Sequence, residues 1–477
     1  MEKLFRTAAR ITAVKATVTE HLSGRAAGSQ AHRHARNGNH QRRLERSGAV
    51  SWLIGASLRP GDVDSTNGRS TRTTRATRTS RTSTMATRTG TTRTTSSALS
   101  PSADRFAGRF DGHADFSFRE LVHAYFDCRR HKLNTYSALL FEQEREPNLI
   151  DLYDELNAGK WRPGTSICFC IERPKIREVW AASFRDRIVH HLVYNRIHAR
   201  FENAFIADSC ACIKGRGTLY AARRVEKRIR SITQNWAKPA AYLKMDVANF
   251  FVSIHKPTLR DLLLAKIHEP FWADLTERVL MHDPRENFEL RGDRALMMQV
   301  PPHKRLLEQS SDRGLPIGNL SSQFFANVYL DVLDQHVKHQ LHARRYVRYV
   351  DDFVLLHESA DWLREAERDI EAFLPTQLGI QINPRKTIRQ PVARGVDFVG
   401  FVVKPWRTEP RRRTVRIAYR RIACAPPAQI WRMANSYFGL LRQASASHHD
   451  RARLANGARR RGHAVDHDLT KTYRESE

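Results

Sequence analysis

Asp351 and Asp352 stand side by side between two short apolar runs, Tyr346-Val347-Arg348-Tyr349-Val350 before them and Phe353-Val354-Leu355-Leu356-His357 after. Adjacent carboxylates repel, and holding them together costs free energy unless a cation neutralises them. Oxygen ligands of this kind suit Mg²⁺, which binds through one or two carboxylates plus substrate phosphates. A second carboxylate, Asp246, ends the apolar run Ala241-Tyr242-Leu243-Lys244-Met245 and is followed by Phe250-Phe251. In-line phosphoryl transfer by two metals needs ions about 3.5–4 Å apart, clamping the attacking and leaving oxygens. Three carboxylates converging from two strands could hold such a pair, which makes nucleotidyl transfer the chemistry to test. Taken singly, each has a plainer role: the Asp pair as solvated turn residues, Asp246 as the cap of the turn that follows.

Val, Tyr and Phe favour extended backbone, so residues 345–357 read as a β-hairpin with the Asp pair at its turn. Residues 241–246 read as a strand. Phe118, Leu121, Val122, Tyr125 and Phe126 recur at helical spacing. Trp161-Arg162-Pro163-Gly164 marks a turn before a Thr165–Ile171 strand. Helices are expected over 324–341 and 430–441.

In chain order, seven blocks resemble the palm and fingers motifs of a reverse transcriptase. They are Lys175-Ile176-Arg177-Glu178-Val179 with Phe184-Arg185-Asp186-Arg187-Ile188-Val189-His190-His191; Ala211-Cys212-Ile213-Lys214-Gly215-Arg216-Gly217-Thr218; Asp246; and Gly314-Leu315-Pro316-Ile317-Gly318-Asn319-Leu320-Ser321-Ser322-Gln323. Tyr349–Asp352 matches the YxDD box, and Leu378-Gly379-Ile380 with Asn383-Pro384-Arg385-Lys386-Thr387, then Val396–Phe401, match the last two. Ile317–Gln323 fits the IGxxxSQ pattern of diversity-generating retroelement enzymes. The Pro-Gln-Gly of group II intron enzymes and the Val-Thr-Gly of retron enzymes are both missing. Arg291-Gly292 and Pro301-Pro302-His303-Lys304 also look like that retroelement branch, though defence-associated or unclassified bacterial reverse transcriptases remain the alternative. A catalytically inactive RNA-binding protein is the third reading, opposed by three intact Asp residues.

The resemblance implies an α+β right-hand polymerase fold. It implies that Asp246, Asp351, Asp352 and the backbone carbonyl of Val247 bind two Mg²⁺, with Mn²⁺ as a substitute, Asp351 being the direct ligand and Asp352 the more peripheral one. Lys175 and Arg177 would reach the incoming dNTP, where a guanidinium fork matches phosphate oxygens. Phe250 would pack on the sugar and exclude a 2′-hydroxyl, with palm core as the alternative for either Phe250 or Phe251. Gly318 would let backbone approach the nucleotide, and the Gln323 amide would contact it. Lys386 would protonate the leaving pyrophosphate, or else be an ordinary surface charge. The implied partners are a template RNA, a DNA or RNA primer, dNTPs and a small basic accessory protein.

Composition agrees with an anionic partner. Lys and Arg number 80 against 50 Asp and Glu, a net +30, the footprint of a phosphate-backbone binder. Residues 1–100 carry 18 basic and 5 acidic residues, so the rest of the chain stays basic without them. Residues 71–95 hold 13 Thr interleaved with Arg. Such a stretch cannot bury a core and is expected to be disordered, or to precede the true start, with Met85 one candidate. No run approaches 18 apolar residues, so no membrane span is expected. Cys168-x-Cys170 and Cys210-x-Cys212 lack the two-to-four-residue spacing usual for zinc; reduced thiols and a cytoplasmic setting are expected. The expected division is 1–104 disordered, 105–235 fingers, 236–404 palm, and 405–477 a short basic thumb whose arginines either track the template–primer backbone or form a solvated face.

Overall fold

The computed structural model describes residues 115–130, 132, 135–172 and 175–473. The expectations for residues 1–104, disorder and an upstream start, lie outside these. The first helix, α1 (Phe118–Arg129), opens on a capping box in which Ser117 and Glu120 exchange hydrogen bonds, and buries Phe118, Leu121, Val122 and Tyr125 on one stripe. α2 (Tyr136–Gln143) and α3 (Arg145–Asn157) lead to the antiparallel pair β1 (Ser166–Ile171) and β2 (Arg177–Ala181). Two long helices follow, α4 (Phe184–Glu202) and α5 (Thr218–Ile232).

β3 (Ala241–Asp246) ends at the first candidate carboxylate and turns into the single-turn helix α6 (Phe250–Ser253), then α7 (Lys256–Leu264) and α8 (Pro270–Met281). The insert after α8 carries β4 (Phe288–Leu290) and α9 (Arg294–Met298). β4 joins β1 in parallel, giving a sheet of order β2-β1-β4. α10 (Leu320–Gln335) leads by a π-turn segment, His336–Gln340, into the hairpin β5 (Tyr346–Tyr349) and β6 (Asp352–His357). The expected 324–341 helix therefore starts earlier and loosens at its end. α11 (Ala360–Leu378) and β7 (Ile388–Pro391) complete a four-stranded antiparallel sheet of order β5-β6-β3-β7.

This sheet is covered on both faces, and the period-2 alternation of its strands is legible in the burial. Leu243, Met245, Phe353 and Leu355 enter the large core shared with α1, α4, α10 and α11. Tyr242, Val354 and Leu356 face α5 through Ala221, Val225 and Ile229. A second small sheet, β8 (Val396–Phe398), β9 (Phe401–Lys404) and β10 (Arg407–Pro410), follows in antiparallel order. The boundary expected at 404 thus falls inside the β9–β10 hairpin, because Pro405-Trp406 is its turn.

Three helices close the chain: α12 (Arg412–Cys424), α13 (Pro427–Leu441) and α14 (His448–Arg459). They bury Ile422, Ile430, Phe438 and Leu454 in a core of their own. The unit is latched to β10, where Ala446 N–H donates to the Thr408 carbonyl at 3.0 Å and Thr408 N–H to Ser445 Oγ at 2.8 Å. Among the described residues no helix is long and apolar enough to cross a membrane.

Candidate active site

The register of two strand pairs assembles the carboxylates. Tyr349 pairs with Asp352 across β5–β6, so Val350 and Asp351 alone form the turn and Asp352 is already the first residue of β6. The Asp pair therefore straddles the turn rather than filling it. Asp246 lies directly opposite Asp352 in the β3–β6 ladder, and directly opposite side chains share a face. Val247 N–H donates to the Asp351 carbonyl at 3.1 Å, and Asn383 N–H to the Asp246 carbonyl at 2.8 Å. The last turn of β3, the hairpin tip and the segment before β7 are thereby tied together.

Two lysines meet the carboxylates. Lys386 Nζ, on a short 3₁₀ turn after Asn383, lies 2.5 Å from Asp246 Oδ2. Lys244 Nζ lies 3.1 Å from Asp352 Oδ2. Lys244 was not among the expected site residues, yet its position two residues before Asp246 in a strand puts it on the same face. Asp352 Oδ1 is buried with no hydrogen-bond partner. Burial, together with the nearby Asp246 charge, pushes the Asp351 carboxyl up to about 6. Burial raises Asp352 to about 6 as well, against the opposing pull of Lys244. Such a site has excess negative charge to share with a cation.

Lys175 and Arg177, flanking the start of β2, fall within electrostatic reach of these groups. The Arg177 charge acts on Asp351, and the Asp246 charge on Lys175. Burial, then Lys386 and Arg177, lowers the Lys175 ammonium below its usual range. Lys175 and Arg177 are thus electrostatically coupled to the carboxylate site.

A family profile described as Reverse transcriptase (RNA-dependent DNA polymerase) matches residues 157–403, just over half of the chain. The chain belongs to the reverse transcriptase family. The matched span contains every charged residue placed at the centre above and ends before α12. No curated protein matches the chain. Among solved structures, the apo telomerase of Candida tropicalis truncated from its C-terminal domain is similar at 12% identity and a TM-score of 0.39. The match covers 52% of this chain and 55% of that one, so the chain spans little more than half of that telomerase.

Two residues singled out by the reverse transcriptase resemblance have packing roles of their own. Phe250 is only 3% exposed and packs in the large core. Residues 250–253 are helical, so the strand alternation invoked for Phe250 and Phe251 does not operate. Phe251 is the half-buried ring, with its centroid 5.4 Å from that of Phe250 and its carbonyl accepting Leu315 N–H at 2.8 Å. At Gly318, φ is +137°, and a Cβ there would sit 2.6 Å from the Trp180 carbonyl oxygen and 3.0 Å from Val179 Cγ1. The glycine is required where the loop before α10 packs on β2, an approach cemented by Trp180 N–H donating to Ile317 O at 2.8 Å. Gln323 lies half-exposed in the first turn of α10.

Proposed function

We propose that the chain is an RNA-directed DNA polymerase that copies a template RNA into cDNA from a DNA or RNA primer and dNTPs. The observation that carries this reading is Asp246 facing Asp352 across β3–β6, with Asp351 in the adjoining turn and the cations of β2 within electrostatic reach.

Divalent metal suits these residues. Asp352 Oδ1 is orphaned, both hairpin carboxylates are hard to ionise unaided, and two lysines already neutralise the outer oxygens. Mg²⁺ binds through one or two carboxylates and completes its shell with substrate phosphates and water, although among the described residues no group of three or more His, Cys, Asp or Glu side chains is gathered closely enough to hold a metal unaided. Asp246, Asp351, Asp352 and the Val247 carbonyl would hold two Mg²⁺, or Mn²⁺ in their place. Bound there, the metals would acidify the primer 3′-hydroxyl and offset charge on the triphosphate.

The chain's own residues supply the rest. Arg177 offers a planar fork to the triphosphate and Lys175 a point charge. Lys386, held at Asp246, would supply a proton to the leaving pyrophosphate. Phe251, rather than Phe250, is the ring we assign to the sugar. Residues 105–235 serve as fingers, 236–404 as palm and 405–477 as thumb. The exposed Arg412, Arg413, Arg416 and Arg420 of α12 would follow the template–primer backbone.

Within the family we assign the chain to the diversity-generating retroelements, working with a small basic accessory protein. The support is Ile317–Gln323, in which Gln323 is left half-exposed at the start of α10. Primer extension on an RNA template with Mg²⁺, followed by product sequencing, tests both levels. Wild type is expected to give metal-dependent cDNA with errors concentrated at template adenines, and Asp351→Asn/Asp352→Asn to give none. Gln323→Ala should alter misincorporation at adenines more than at other bases. Accurate cDNA would instead favour a defence-associated enzyme. Absence of cDNA with accessory protein and cognate RNA present would contradict the polymerase reading.

A further inference from the structure

Arg348 and Asp334 form an ion pair sealed from solvent, each 0% exposed. Arg348 Nε donates to Asp334 Oδ1 at 2.7 Å and Nη2 to Oδ2 at 2.6 Å. Nη2 also donates to Ser209 Oγ at 3.0 Å, while Nη1 reaches Asn327 Oδ1 at 3.3 Å and the Val350 carbonyl at 3.1 Å. These five bonds match the five N–H donors of a guanidinium. Tyr346 Oη donates to Asp334 Oδ1 at 2.7 Å, completing the network.

The bond to Val350 gives the pair a bearing on the hairpin tip. Val350 has φ +56°, a left-handed backbone that is a genuine outlier for a β-branched residue. It occupies the first of two turn positions, where a positive φ ordinarily calls for glycine. Strain of this kind persists only where the surroundings over-determine it. The Val350 carbonyl belongs to the peptide plane that joins Val350 to Asp351. A charge-assisted bond to that oxygen fixes the plane, and with it the direction in which Asp351 leaves the turn.

We propose that Arg348, anchored by Asp334, is a positioning residue that holds the strained Val350–Asp351 peptide and so aims the Asp351 carboxylate at the metal. Arg348 does not reach the reacting atoms. It transmits the place of α10, which carries Asn327 and Asp334, to the tip of β5–β6. This rests on the metal-binding reading of Asp246, Asp351 and Asp352. Outer partners that orient metal ligands typically matter about 10–100-fold in metal affinity or activity.

The test is a Mn²⁺ titration by electron paramagnetic resonance on full-length protein, with a dideoxy-terminated primer on its template and the matching dNTP. Primer-extension kinetics accompany it. Arg348→Met alone would strand a buried carboxylate, so the main variant is Arg348→Met/Asp334→Asn, which removes both charges and leaves Tyr346 an acceptor. Arg348→Lys, which keeps the charge but loses the second arm to Val350, covers the case in which the double variant fails to fold. Mn²⁺ affinity and kcat are expected to fall at least about tenfold, with KM for dNTP changing far less. Adding Val350→Gly should restore most of the loss, because glycine adopts positive φ unaided. Unchanged Mn²⁺ affinity in a folded variant overturns the proposal, as does a loss that Val350→Gly leaves untouched. If wild-type Mn²⁺ binding is insensitive to Asp351→Asn, the metal-site reading itself falls, and this inference with it.

Discussion

Asp246 and Asp352 are cross-strand partners, one closing β3 and the other opening β6, and each has one carboxylate oxygen engaged by a lysine. A sheet that places two acids face to face, with a third in the next turn, carries a built-in repulsion. Its fold is less stable than it would be with neutral residues there, and that repulsion is what a cation relieves.

The first prediction concerns this repulsion and its pH dependence. Burial, with the Asp246 charge beside it, pushes the Asp351 carboxyl from 3.8 up to about 6, so ionising it should destabilise the metal-free protein. The penalty is absent below pH 3.8, grows as pH rises through that value, and is complete above about 6. Asp351→Asn should therefore stabilise the metal-free protein at pH 7.5, by on the order of 1–3 kcal/mol, while abolishing cDNA synthesis. Near pH 4 the gain should shrink towards nothing. Denaturant melts at the two pH values check it; equal shifts at both would refute the assignment.

Metal affinity should follow the same protons. Below about pH 6 a proton competes with the cation for Asp351 and Asp352. The Mg²⁺ concentration needed for half-maximal extension should then rise roughly tenfold per pH unit for each proton displaced. Extension measured across Mg²⁺ series at pH 5, 6, 7 and 8 decides this. A half-saturation value that stays flat from pH 5 to 7 would count against these carboxylates as ligands.

The two adjacent phenylalanines should separate cleanly. Phe250→Ala removes a core ring and should cost about 3–5 kcal/mol of stability without changing sugar preference in the protein that remains folded. Phe251→Ala should cost less and should raise incorporation of ribonucleotides relative to deoxynucleotides. Side-by-side melting curves and rNTP/dNTP competition measure both effects. The opposite pattern would return the sugar-facing role to Phe250.

Gly318→Ala should damage the seam between the loop and β2 rather than a direct nucleotide contact. The added methyl meets the Trp180 carbonyl at 2.6 Å on a backbone of φ +137°, so a loss of about 1–3 kcal/mol is expected. Fluorescence of Trp180 should shift with the variant even without substrate. A variant that keeps wild-type stability and spectrum but loses dNTP affinity would restore the nucleotide-facing role.

Much of the carboxylate-bearing hairpin was legible in the sequence because apolar alternation, an Asp pair and a bounded length agree on one structure. Asp246 was legible for the same reason, as the polar end of an apolar strand. The burial of Phe250 was harder to read because the chain leaves the extended state just after Asp246: Asn249 takes φ +47° and a helical turn begins, so a period of 2 no longer applies. The seam of Gly318 with Trp180 was not legible, because a glycine beside a candidate site does not reveal which neighbour crowds it. Arg348 reads as one polar residue in a strand, and its buried partner Asp334 sits on a helix that only tertiary structure brings alongside. The edge at 404 lies at the turn of the β9–β10 hairpin, whose pairing to Pro410 no motif in the sequence announces.

The three C-terminal helices keep a core of their own and meet the rest through the β10 latch and a small apolar cluster of Ala444 and Leu440 with Phe401 and Ala222, whereas α1 to α4 share one large core with the carboxylate sheet. Cooperative opening follows contiguous packing. The C-terminal three-helix unit is therefore expected to exchange its amides before the hairpin that carries Asp351 opens, with the small seam at Phe401 and Ala444 the first to part.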